Sequence, residues 1–147
     1  MSIEKAFDVA FKHMKERKWD KIYVLVDVHD TILKGTYSLN EELEWMNGAK
    51  EGLKSLSDAK DICLILWTSS HQEKIEEYLS FFKENGIFFD YANSNPEVVN
   101  NEIGNFELIT NGKLYFNIGI DDKFGFSPED GDWLIVKDII DKHNVFS

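Results

Sequence analysis

The chain is short of thiols, of arginine and of positive charge in general. One cysteine occurs in 147 residues, which excludes an intrachain disulfide and any thiolate-built metal centre. That residue, Cys63, lies inside an apolar run and reads as a buried core thiol. Lys plus Arg number 16 against 27 Asp plus Glu, a formal charge of −11, and Arg17 is the only arginine in the sequence. A field of this sign opposes extended nucleic acids and anionic membranes. The scarcity of arginine also removes the usual bidentate phosphate clamp. No run approaches the roughly 18 apolar residues of a membrane span, and Met1 to Lys5 carry no secretory-leader pattern. The expectation is a cytoplasmic location. There is no internal repeat, low-complexity tract or interdomain linker, so residues 1–147 are expected to form a single domain.

Hydrophobic residues make up 43% of the chain and aromatics 14%, enough for a substantial core. Ile3, Phe7, Ala10, Phe11 and Met14 recur at helical spacing over residues 3–17. Lys21 to Asp27 is apolar, β-branched and ended by a carboxylate, as suits a buried parallel strand. Glu41 to Leu56 reads as a helix with Leu43, Met46, Leu53 and Leu56 inward, interrupted by Gly52. Asp61 to Thr68 is a second strand, its Trp67 a core or sheet-face residue. Ser70 and Glu73 have the spacing of a capping box for a helix ending near Lys83. Ile87 to Phe89 suggests a short strand, Pro96 the first turn of a helix, and Thr110 to Lys113 a turn. Leu114 to Ile120 is a further strand ending at Asp121 and Asp122. Asp132 to Val136 reads as a last short strand and Lys137 to His143 as a closing helix. Alternation at these lengths predicts an α/β fold, a three-layer α/β/α sandwich with a mainly parallel sheet.

Asp27, Thr68 and Asp121 end separate strands. In a parallel sheet such ends share one edge, where ligands bind. Carboxylates gathered there repel unless a cation compensates, and Mg²⁺, which takes hard oxygen ligands, is the natural guest. It would also let an anionic phosphate approach an acidic protein.

The run Asp27-Val28-His29-Asp30-Thr31-Ile32 after a hydrophobic strand resembles motif I of the haloacid dehalogenase-like (HAD) superfamily, Asp-x-Asp-x-Thr/Val. Thr68 after Ile65-Leu66-Trp67 resembles motif II. Lys113 just before a strand resembles the motif III lysine, and Asp121-Asp122 after Asn117 to Ile120 the paired acids of motif IV. The resemblance spans residues 21–123. It implies a Rossmann-like sheet and a Mg²⁺-dependent phosphomonoester hydrolase. In that reading Asp27 is the nucleophile that forms an aspartyl-phosphate, and also a metal ligand. Thr68 binds the phosphoryl group through its hydroxyl, and Ser69 is an alternative. Lys113 offsets charge, with Lys74 and Lys123 as alternatives. Asp121 and Asp122 hold Mg²⁺ directly or through water. Thr31 supports the motif I loop.

The departure from the pattern is His29, which stands where the family has its second Asp. Its backbone carbonyl can still serve as a metal ligand. Its imidazole can shuttle protons near neutral pH, but an imidazolium beside Asp27 gives its proton up reluctantly. Asp30 is the second candidate for the acid/base. The segments between motifs are too short for a cap domain. The expected partner is therefore a phosphorylated small molecule or an exposed phosphate end: a nucleotide, a nucleic-acid terminus or a phosphosugar. The competing expectation is a catalytically weak or inactive HAD-like domain that binds phosphate or contacts another protein.

Overall fold

A computed structural model describes residues 2–35, 43–98 and 114–146. Helix α1 spans Ile3–Arg17. The Ser2 hydroxyl caps it by accepting from the Lys5 N–H at 3.3 Å. Strand β1 is Ile22–Asp27, α2 Ala49–Asp58, β2 Ile62–Trp67, α3 Gln72–Glu84, β3 Tyr91–Ala92 and β4 Ile118–Ile120. Two 3₁₀ turns, Asp122–Phe124 and Pro128–Asp130, lead into α4, Asp132–Phe146.

The sheet has four strands in the order β3-β2-β1-β4, all paired in parallel. The fold is α/β and Rossmann-like. Val24 pairs with Leu64 and Ile118, and Val26 with Leu66 and Ile120, so these side chains share one face. That face meets Phe7 and Ala10 of α1, Leu53 and Leu56 of α2, Tyr78 and Phe82 of α3, and Trp133, Val136 and Ile140 of α4 in one buried core. On the other face Leu25, Cys63 and Ile65 form a smaller cluster with Tyr23, Tyr91 and Leu114. Among the described residues, no helix contributes to that second cluster.

Several element boundaries differ from the sequence expectation. The helix expected from Glu41 starts only at Ala49. Leu33 and Trp45 instead form an antiparallel bridge, and the N–H groups of Lys34 and Met46 donate to the carbonyls of Glu44 and Ile32. Gly48 enters α2 at φ 73°. Residues 87–89 are not a strand. The Asp90 carboxylate accepts from the Leu64 N–H at 2.8 Å, and pairing begins one residue later. Pro96 lies in a turn. Residues 114–117 lie outside the strand: the Asn117 N–H donates to the Tyr23 carbonyl at 2.8 Å, but its side-chain oxygen rather than a backbone carbonyl accepts from the Tyr23 N–H at 2.8 Å, and β4 starts after it. Residues 132–136 are helical, because Trp133, Val136 and Ile140 repeat at helical spacing and all face the core. The Ser70 capping box does not form. His71 occupies the N-cap of α3 without a side-chain bond, and the Ser70 hydroxyl is turned back to Thr68. The turn expected at Thr110 to Lys113 lies outside the described residues.

Candidate active site

The chain runs outward from β1 to β2 to β3, then returns to place β4 on the other side of β1. The strand order therefore reverses at β1 and β4. A crevice at such a switch point, outside the carboxyl ends of the strands, is where open α/β sheets bind ligands. Asp27 ends β1 and Asp121 follows β4. Carboxylate oxygens of Asp27, Asp121 and Asp122 all lie within 4.8 Å of one another.

Thr31 ties this group together. It is fully buried, and its hydroxyl is 3.2 Å from both Asp27 Oδ2 and Asp122 Oδ1. One proton serves one of these acceptors at a time. The same oxygen accepts from the Asp122 N–H at 3.0 Å. The Trp133 indole N–H donates to the Thr31 carbonyl at 2.6 Å, which anchors the motif loop to the core through α4. The loop turns sharply at Asp30, φ 59°, whose carboxylate accepts from the Gly35 N–H at 2.8 Å. That bond directs Asp30 to its own loop and away from an acid/base role. Asp121 is fixed separately, since its carboxylate caps the following turn by accepting from the Lys123 N–H at 2.9 Å.

Crowding of like charges leaves its mark. Asp27 is pushed up to about 6, first by burial and then by the Asp121 charge, with Asp122 adding to it; the Thr31 hydroxyl opposes the shift. Asp121 is also raised, chiefly by burial and further by Asp122. A hard-oxygen donor set whose charges are unfavourable until compensated suits a divalent cation such as Mg²⁺. Asp27, Asp121 and Asp122 are the groups brought together that could hold one.

Thr68 follows Trp67, the residue paired with Asp27 across β1 and β2, so it reaches the same edge. Its backbone is clamped by Asn93. The Asn93 side-chain Oδ1 accepts from the Thr68 N–H and its Nδ2 donates to the Thr68 carbonyl, both at 2.8 Å. The Thr68 hydroxyl is 2.9 Å from that of Ser70 and accepts from the Ser70 N–H at 3.2 Å. His29 Nε2 is hydrogen-bonded to the Tyr78 hydroxyl at 2.9 Å. Lys74 sits over the Tyr78 ring, 5.3 Å from its centre, and pairs with Glu77 at 3.1 Å. Lys123 is exposed, and Lys113 lies outside the described residues. Asn93 and Tyr78 were not legible as site residues, because neither stands in a motif and both reach the site through tertiary packing.

No protein-family model matches the sequence, and no curated protein matches it. A solved structure described as that of a conserved protein coded by a locus from Bacteroides thetaiotaomicron is similar. The two chains are 25% identical, the match covers 84% of this chain and 92% of that one, and the TM-score is 0.59. That likeness supports the α/β Rossmann-like class already evident from the sheet. No helix among the described residues is long and apolar enough to cross a membrane.

Proposed function

We propose that the protein is a Mg²⁺-dependent, HAD-like phosphomonoester hydrolase acting through Asp27. The observation that carries the reading is the convergence of Asp27, Asp121 and Asp122 within 4.8 Å at the switch point of the sheet. A bound Mg²⁺ would supply charge compensation for the acids and for the incoming phosphate. In the first step the Asp27 carboxylate attacks phosphorus in line. The bond to the leaving oxygen breaks, and that oxygen takes the electron pair and a proton from His29. In the second step water attacks the aspartyl-phosphate, its proton passes to the neutral imidazole, and the phosphorus–carboxylate bond breaks. Asp27 is regenerated and inorganic phosphate leaves. Thr68 orients the phosphoryl group at the start of α3, where backbone N–H groups favour an anion, and Lys113 offsets its charge. The substrate is a phosphorylated small molecule or an exposed phosphate end, met in the cytoplasm.

The bond between His29 and Tyr78 favours a second reading. An imidazole held by a tyrosine hydroxyl is less free to exchange protons with substrate. The domain would then bind phosphate and turn it over slowly or not at all. The two readings separate in an assay of phosphate release from p-nitrophenyl phosphate, nucleotides, phosphosugars and a 3′-phosphorylated oligonucleotide, with Mg²⁺ or chelator. Mg²⁺-dependent release that disappears in Asp27→Asn supports the phosphatase. A silent wild type with an active His29→Asp variant supports the second reading. Release that survives Asp27→Asn contradicts both.

A further inference from the structure

The hydrogen bond between His29 and Tyr78 has a direction, and the burial of Tyr78 decides it. Tyr78 stands on α3, 3% exposed, and its hydroxyl lies 2.9 Å from His29 Nε2. The two rings meet edge to face, 6.0 Å apart at 78°. Lys74, one turn earlier, covers the Tyr78 ring at 5.3 Å from its centre and is paired with Glu77, so the tyrosine is confined on two sides. Among the described residues, His29 is the one hydrogen-bonding partner of the Tyr78 hydroxyl. A phenol oxygen can accept, but its proton needs an acceptor, and a buried O–H left without one loses more than an ordinary bond contributes. The Tyr78 hydroxyl therefore donates to the Nε2 lone pair. The proton of the neutral imidazole is then on Nδ1.

We propose that Tyr78 is a positioning residue that slows hydrolysis of the aspartyl-phosphate, so that the protein keeps a phosphoryl group on Asp27 after the leaving group has gone. The inference rests on the phosphatase reading and assigns its slow step. Release of phosphate forms a bond from water to phosphorus and breaks the bond to the Asp27 carboxylate. It also requires a lone pair to take the water proton. With Nδ1 protonated and Nε2 accepting from Tyr78, neutral His29 has no lone pair to offer. Water is activated only while that hydroxyl is turned away, which leaves a buried O–H unpaired. Asp30 does not supply the base instead, because its carboxylate is engaged by the Gly35 N–H. The first step escapes this restraint when the leaving group is acidic, since a phenolate such as p-nitrophenolate departs without a proton. The intermediate is then made faster than it is consumed.

Stopped-flow kinetics with p-nitrophenyl phosphate at saturating Mg²⁺ test this. The wild-type chain should release a burst approaching one p-nitrophenolate per chain, followed by a slow steady state. Tyr78→Phe keeps the ring and removes the hydroxyl. Its kcat should rise roughly tenfold and its KM with it, while kcat/KM, which reports the first step, stays unchanged. A variant that had merely lost packing would lower kcat/KM instead. The ¹⁵N NMR signals of His29 at alkaline pH read the bond without turnover: Nδ1–H in the wild type, and a shift toward Nε2–H in Tyr78→Phe. Absence of a burst, a kcat unchanged or lowered in Tyr78→Phe, or an Nε2–H imidazole in the wild type overturns the role of Tyr78. Each of these leaves an Mg²⁺-dependent phosphatase acting through Asp27 standing. If neither chain releases even one equivalent of p-nitrophenolate, the phosphatase reading fails and this proposal fails with it.

Discussion

At the scale of single residues, Thr31 organises the site. Its hydroxyl bridges Asp27 and Asp122, acids that are 95 positions apart in the chain, while its carbonyl is held by Trp133. Thr31→Val keeps the shape and removes the hydroxyl, leaving the Asp122 N–H without its acceptor. The expected cost is about 1–3 kcal/mol in urea unfolding, accompanied by weaker Mg²⁺ binding. A variant as stable and as Mg²⁺-competent as the wild type would contradict the bridging role. Asp27 gives a pH dependence with a definite sign. Its folded-state value, about 6, lies above the ordinary 3.8. Without metal, the folded state therefore binds the extra proton, and the stabilisation from this group is lost as pH rises through about 6. Mg²⁺ must displace that proton. The rise in thermal midpoint on adding Mg²⁺ should be larger at about pH 7.5 than at about pH 5, and an equal or opposite trend would contradict it. Asp27, Thr68, Asp121 and Asp122 were readable because each stands where an apolar strand stops. Thr31 was readable only as a loop support. The bond joining it to Asp122 depends on the pairing of β1 with β4, and no local pattern encodes that.

At the scale of elements, the sequence marks strands more clearly than their connections. β1 and β2 are largely apolar runs whose central residues are buried, and their expected bounds hold to within a residue. Residues 43–48 carry apolar side chains at near-helical spacing, yet Glu44 to Met46 pair back onto the loop after β1. Asp132 to Val136 was equally misleading, since a short apolar run fits a strand or a buried helix. The close contact of α2 with α4 also explains Gly52. A Cβ at that position would lie 2.6 Å from Trp133 Cε3 and 2.8 Å from the Trp133 carbonyl oxygen. Gly52→Ala should therefore destabilise by about 1–3 kcal/mol despite alanine's higher helix propensity. A rise in the urea midpoint would show that the helices have slack. On the β2 side, Asn93→Ala removes both bonds that clamp Thr68. Phosphate binding is expected to weaken roughly tenfold, as read by calorimetry with inorganic phosphate and Mg²⁺. Unchanged affinity would separate the clamp from the site.

At the scale of the whole molecule, the parallel sheet and its reversal at β1 give widely separated residues one address. The alternation of strands and helices made the α/β class legible. The placement of β4 beside β1, which turns scattered acids into one cluster, follows from topology rather than from any local run. The net charge of −11 makes the cation central to the account, because an unscreened acidic cleft repels phosphate. The most direct test is a calorimetric Mg²⁺ titration of the wild-type chain beside Asp27→Asn and Asp121→Asn. The prediction is one saturable Mg²⁺ per wild-type chain, with binding lost or strongly weakened in both variants. Absence of saturable binding, or binding indifferent to both substitutions, would contradict the shared site and everything built on it.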